Sequence, residues 1–110
     1  MLAIPANARI FLFQNPVDMR KGLEGLSVLV ESYFSEPLTS GAYFVFINRV
    51  KDRIKVLYWD SDGFAIWWKR LEKGSFRLLG LDKDLIDRRE FFMLLEGIIP
   101  KKLQKRFKTY

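Results

Sequence analysis

The chain has 110 residues, 49% apolar and 29% charged, enough for one domain with its own core and too few for two. It contains neither cysteine nor histidine, which excludes a disulfide framework, thiolate or imidazole metal sites, a cysteine nucleophile and any triad with a histidine base. The net charge of +6 is unevenly placed: residues 1–96 hold 14 of the 19 Lys and Arg against all 13 acids, while the last stretch carries Lys101, Lys102, Lys105, Arg106 and Lys108 with no acid.

The beginning of the chain, Met1 to Gln14, has no basic region before its apolar run and no small-residue cleavage site, so it does not read as a signal peptide. No apolar run approaches membrane-spanning length. The expectation is a cytoplasmic protein with no membrane partner. Residues 1–100 are read as one domain and 101–110 as a basic tail.

Arg9 to Gln14 is a short run rich in β-formers and predicts a strand, broken by Asn15-Pro16. Asp18 then suits a helix N-cap, and apolar residues at Met19, Leu23, Leu26, Val30 and Tyr33 or Phe34 form one helical stripe, which predicts a helix over 19–34 that ends before Pro37. Gly22 and Gly25 weaken it by about 1 kcal/mol each. Either backbone passes close to the sheet there, or the weakness is simply tolerated.

Residues 41–48, 53–60 and 64–71 read as three strands, with Ser61-Asp62-Gly63 as a three-residue hairpin loop that places Gly63 in the left-handed region. A short fifth strand is expected at 76–79, and residues 80–86 are ambiguous. Asp87 with Glu90 makes a capping box for a second helix, whose apolar face is Phe91, Leu94, Leu95 and Ile98 and whose stop is Gly97. The order β-α-β-β-β-β-α argues for an α+β domain, an antiparallel meander of about five strands packed by two helices.

Several segments now resemble one small bacterial family: Asp18-Met19-Arg20-Lys21-Gly22 followed by Gly25-Leu26; Phe44 to Arg49; Asp52 to Asp60; Asp62-Gly63; and Lys69 to Phe76. They are similar to the TnpB-type accessory proteins of insertion-sequence-66 elements, which are distinct from the much larger RNA-guided nucleases that share the name. The resemblance runs from about Arg9 to Phe76, and Phe91 to Gly97 resembles the family's closing helix. At Ser75-Phe76-Arg77-Leu78 the chain departs from the family's usual Arg-Phe followed by Trp or Pro. The resemblance implies a role in DNA transposition beside a separate, larger transposase, and the expectation built on it is a non-catalytic factor that binds DNA, the transposase or both. No cofactor is expected, and the resemblance carries over no catalytic residue.

Asp18, Asp60, Asp62 and Glu72 are the acids a nuclease reading would use. Two-metal chemistry needs carboxylates converging on ions about 4 Å apart, whereas a helix cap and a hairpin tip explain three of the four. No catalytic or metal site is therefore expected. Three groups of residues remain as candidates for nucleic acid. Arg20 and Lys21, in the expected first helical turn, can meet a phosphate, or Arg20 can pair with Asp18 or Glu24.

In the expected hairpin, Val56 faces Trp68 and Tyr58 faces Ile66 on one side, a core face that buries Trp68, while Lys55 faces Lys69 and Leu57 faces Trp67 on the other, with Trp59 beside them. The second side mixes cations with aromatics, as sheets that stack single-stranded bases do. The competing reading covers Leu57, Trp59 and Trp67 with the second helix. Two lysines directly opposed repel unless an anion intervenes. The third group is the tail, whose five cations interleave with Leu103, Phe107 and Tyr110 and suit either sequence-independent phosphate contacts or a solvated terminus. Two functions follow: a transposition accessory factor that binds DNA, the transposase or both, and a small single-strand binding module that uses the aromatic and basic sheet face.

Overall fold

A computed structural model describes residues 2–78 and 80–96. In chain order the elements are β1 (Ile10–Leu12), α1 (Leu23–Tyr33), β2 (Tyr43–Ile47), β3 (Arg53–Asp60), β4 (Gly63–Arg70), β5 (Leu85–Ile86) and α2 (Arg88–Glu96). They form a five-stranded sheet in the order β4-β3-β2-β1-β5. The expected α+β class and element order hold.

The sheet is mixed rather than purely antiparallel. β2, β3 and β4 pair antiparallel, but β1 and β2 are parallel, with Ile10 opposite Tyr43 and Leu12 opposite Val45. The cause is the helix between them. An α1 crossover returns the chain to the end where β1 began, so the next strand runs in the same direction.

Strands apolar on both faces require cover on both. One face presents Phe44, Phe46 and Leu57 to Leu26, Val30 and Phe34 from α1 and its C-cap. The other presents Val45, Ile47, Ile54 and Val56 to Phe91, Leu94 and Leu95 of α2, together with Leu2, Ile4 and Phe76. The result is three layers, helix on sheet on helix.

Several local expectations are corrected. Helix α1 begins at Leu23 rather than residue 19, because Asp18 does not cap it. The Asp18 carboxylate instead accepts from the Arg20 backbone N–H at 2.9 Å and from its guanidinium, and Gly22 becomes an N-cap with no side-chain bond. Gly25 does not mark a close approach to the sheet; a Cβ there would meet the Lys21 side chain at 3.1 Å. No strand forms at residues 76–78. Phe76 is instead a fully buried plug in a loop, with its N–H donated to the Lys51 carbonyl at 2.7 Å. Leu79 lies outside the described residues. The fifth strand is the two-residue β5, within the segment that was ambiguous.

The β3–β4 turn is one residue shorter than expected. Asp60 pairs with Gly63, so the loop is Ser61-Asp62, and Ser61 rather than Gly63 takes the positive φ, at 62°. Asp62 closes the turn by donating its N–H to the Asp60 carbonyl at 2.6 Å. Since side chains alternate with period two, this slip turns β4 over relative to β3. Val56 now faces Trp67, Lys55 faces Trp68 and Leu57 faces Ile66. Trp68, expected in the core, is 53% exposed. The capping box forms as read: Glu90 N–H donates to Asp87 Oδ1 at 2.7 Å and Asp87 N–H to Glu90 Oε1 at 2.9 Å.

Candidate nucleic-acid interface

A depression of about 480 Å³ opens where β2 ends and β3 begins, bordered by Asp18, Arg20, Arg49, Val50, Arg53 and Trp68. Backbone geometry builds it. Phe13 N–H donates to the Val45 carbonyl at 2.9 Å and Val17 N–H to that of Ile47 at 3.0 Å. Four residues on one segment thus span two on the other, and the excess pushes Asn15-Pro16 outward and delivers Asp18 to the rim.

The facing wall is the β2–β3 turn. Asn48 Oδ1 accepts from the backbone N–H groups of Asp52 and Arg53, both at 3.0 Å, and Asn48 Nδ2 donates to Asp52 Oδ1 at 2.7 Å. Lys51 takes a φ of 62° to close the turn. Asn and Asp supply such side-chain bridges readily. The locked turn holds Arg49 and Val50 out at the rim, both exposed.

The charge around the depression is uneven in its compensation. Arg20 pairs with Asp18 at 2.7 Å. The side-chain hydrogen bond from Arg20, helped by its backbone N–H, holds the Asp18 carboxyl well below the usual carboxylate range, and the same bond raises the Arg20 pKa. Lys55 Nζ is fixed by donating to the Lys21 carbonyl at 2.8 Å. Arg53 sits directly opposite Arg70 across the β3–β4 ladder. Among the described residues neither of them, nor Arg49, takes part in an ion pair, and Arg53 Nε is buried with no partner. Like charges directly opposed in a sheet are destabilising, and a buried donor left without an acceptor costs further.

The residues singled out from the sequence are not gathered as expected. Arg20 and Lys21 precede α1, so they do not lie in its first turn. Lys55 and Trp59 are on the α1 face, where Trp59 packs edge-on against Phe64 with ring centroids 4.9 Å apart. Trp67 lies on the opposite face, half-buried beside the α2-side core, and exposed Lys69 is opposite Ile54. Lys55, Trp59, Trp67 and Lys69 therefore do not make one face, and Lys55 does not oppose Lys69.

The turned register replaces them with Trp68, Arg53 and Arg70, which share the α1 side of the sheet with Lys55. The signal for these was present in the sequence: a two-residue loop at 61–62 puts them together by counting alone. Lys101, Lys102, Lys105, Arg106 and Lys108 lie outside the described residues. Asp60 and Asp62 sit at the hairpin tip, at the far end of β3 from Asp18, and no three acids gather as metal ligands among the described residues. No described helix is long and apolar enough to cross a membrane.

Comparison with known proteins gives a family. A family model described as IS66 Orf2 like protein matches residues 8–105. Two curated relatives from Sinorhizobium fredii, both described as uncharacterized proteins, y4jC and y4hO, are 37% and 32% identical over 76 residues, which is 69% of this chain. The matches span 65% and 66% of those relatives' own lengths, just under two thirds. No solved structure matches. With the family model covering most of the fold, including every strand and both helices, the chain belongs to the IS66 Orf2-like family.

Proposed function

We propose that this protein is a non-catalytic accessory factor in transposition of an IS66-type insertion sequence, working in the bacterial cytoplasm beside the element's transposase and holding DNA at the depression between the β2–β3 turn and Trp68. Family membership supports the transposition role. The observation that carries the DNA reading is Arg53 opposed to Arg70 beside exposed Trp68, with Arg49 at the rim and, among the described residues, no acid paired with any of the three arginines. A phosphate between the two guanidiniums removes their repulsion and supplies charge-assisted acceptors. The Trp68 ring offers a base a stacking surface independent of sequence. Lys21 and Lys55 extend the basic strip along the same side, and the basic tail adds contacts that pull on any phosphate backbone.

Titration with single-stranded and duplex oligonucleotides at several salt concentrations tests this reading. Each cation that meets a phosphate contributes about −0.7 to the log–log salt slope on single strands and about −0.9 on duplex. Replacing Arg53 and Arg70 with Gln should flatten the slope and weaken binding to all sequences. Single strands should quench tryptophan fluorescence in the wild type and not in Trp68→Phe, which tells stacking at Trp68 from effects at Trp59 or Trp67. Deleting residues 101–110 should flatten the slope by at most about 4.5 on duplex. An undiminished slope in the arginine variant, with all salt dependence lost on truncation, would move the DNA contact wholly to the tail. Co-purification with the transposase, retained in the arginine variant, is the readout for the protein partner.

A further inference from the structure

We propose that β4 is the contact through which two copies of this chain pair, antiparallel, about a twofold axis that passes beside Ile66. The inference concerns the sheet edge; it shares Arg70 and Trp68 with the proposed DNA site, and its test involves no DNA. β4 is an outermost strand of eight residues, whereas the opposite edge, β5, has two. Its register against β3 is unbroken from Arg53↔Arg70 to Asp60↔Gly63. Leu71 N–H donates to the Asp52 carbonyl at 2.8 Å. Counting back by two, the strand positions 69, 67, 65 and 63 also turn their backbone groups toward β3. Phe64, Ile66, Trp68 and Arg70 therefore point their N–H and C=O groups at the open edge. Among the described residues no turn, loop or cap hydrogen bond reaches those groups.

Natural sheets blunt such an edge with a bulge, a proline, a covering loop or charged side chains, lysine above all. β4 has neither bulge nor proline, and its charges are divided by end. Lys69 and Arg70 close the strand, and Asp60 and Asp62 stand at the turn that opens it. This division decides the partner's direction. Parallel pairing in register would stack Arg70 on Arg70, whereas antiparallel pairing brings the basic end of each copy against the acidic turn of the other.

Direction of the backbone groups then restricts the register, because only residues whose groups point outward can face one another in hydrogen-bonded pairs. With Ile66 opposite itself, Arg70 meets the partner's Asp62, and Trp68 meets the partner's Phe64 on the α1 side. Shifting the axis to Trp67 sets Arg70 against Phe64. Shifting it to Ala65 sets Asp62 against Trp68. The Ile66 axis alone matches charge with charge and ring with ring. It joins two sheets into one and leaves both arginine-lined depressions on the same side. The two Trp68 residues then lie about 14 Å apart, four residues along the strand.

The chain has no cysteine, so Ile66→Cys is a unique thiol. In a hydrogen-bonded antiparallel pair the opposed Cα atoms are about 5.5 Å apart, within disulfide reach. Mild oxidation should convert Ile66→Cys to a covalent dimer at least tenfold faster than Val50→Cys, whose position is exposed but off the edge. The wild-type full chain should sediment at twice its own mass at about 100 μM, a concentration that fills a micromolar interface. Arg70→Glu should weaken self-association at least tenfold, and combining it with Asp62→Lys should restore it. A monomer at that concentration, equal cross-linking at Val50→Cys, or failure of the charge swap to restore the dimer would overturn the proposal. None of these readouts involves DNA, so their failure is separable from failure of the nucleic-acid reading.

Discussion

Removing the Asp18 carboxylate releases Arg20 toward the depression, so Asp18→Asn should tighten binding of single-stranded DNA roughly threefold and steepen the salt slope by up to about 0.7. Both binding titrations check it. In the wild type the pair persists through neutral and mildly acidic pH. Arg20 depresses the folded-state pKa of Asp18, so the contribution of this carboxylate to stability is fully present above its unfolded value near 4 and is lost only as pH falls through the folded value.

Exposed Trp68 and buried Phe44 make a second contrast at this scale. Trp68 is 53% exposed, and Trp68→Ala should cost under about 1 kcal/mol of stability while abolishing quenching by single strands. Phe44 is fully buried, and Phe44→Ala should cost about 3–5 kcal/mol. Urea denaturation of the two variants measures both. The sequence pointed Trp68 inward because Ser61-Asp62-Gly63 fits a three-residue loop, although it suits a two-residue loop equally well. Nothing local distinguishes them, yet the choice reverses which tryptophan meets solvent.

Among the elements, legibility followed the range of the interactions. The α2 capping box closes within four residues, and the sequence carried all of it. Asp87→Ala removes the acceptor for Glu90 N–H and should lower stability by about 1 kcal/mol, measured as a fall in thermal midpoint. Glu90 also pairs with Lys83 at 2.9 Å, so the same variant leaves that contact in place. The start of α1 was misplaced because Met19 continues the apolar stripe while the turn around Asp18 uses up the cap. The parallel pairing of β1 with β2 was implied by the strand–helix–strand order but was obscured by the hairpins that follow. β5, at two residues, is shorter than any periodicity can register, and its existence depends on the distant edge of β1. Phe76 resembled a strand residue because burial alone, without a ladder, produces the same apolar signature.

At the level of the whole molecule, the three layers were foreshadowed by strands apolar on both faces, and the charge split between body and tail was plain in the composition. The site was less legible. It lies where residues 13–18, the β2–β3 turn and the end of β4 converge, and no single segment contains its pattern. The sheet order also sets a sequence of events. β2, β3 and β4 are joined by two tight turns, so their pairing closes short loops, while β1 must wait for a helix and β5 for most of the chain. Native-state hydrogen exchange should follow the same ranking. Amides bonded between β2 and β3 should open only with global unfolding, and the Leu12 N–H held by the Asp84 carbonyl should be among the first strand amides to exchange. The edge formed by β1 and β5, joined to the rest of the sheet through the parallel β1–β2 pairing, is thus the fold's late and reversible seam, able to detach while the hairpins that carry Arg53, Trp68 and Arg70 remain folded.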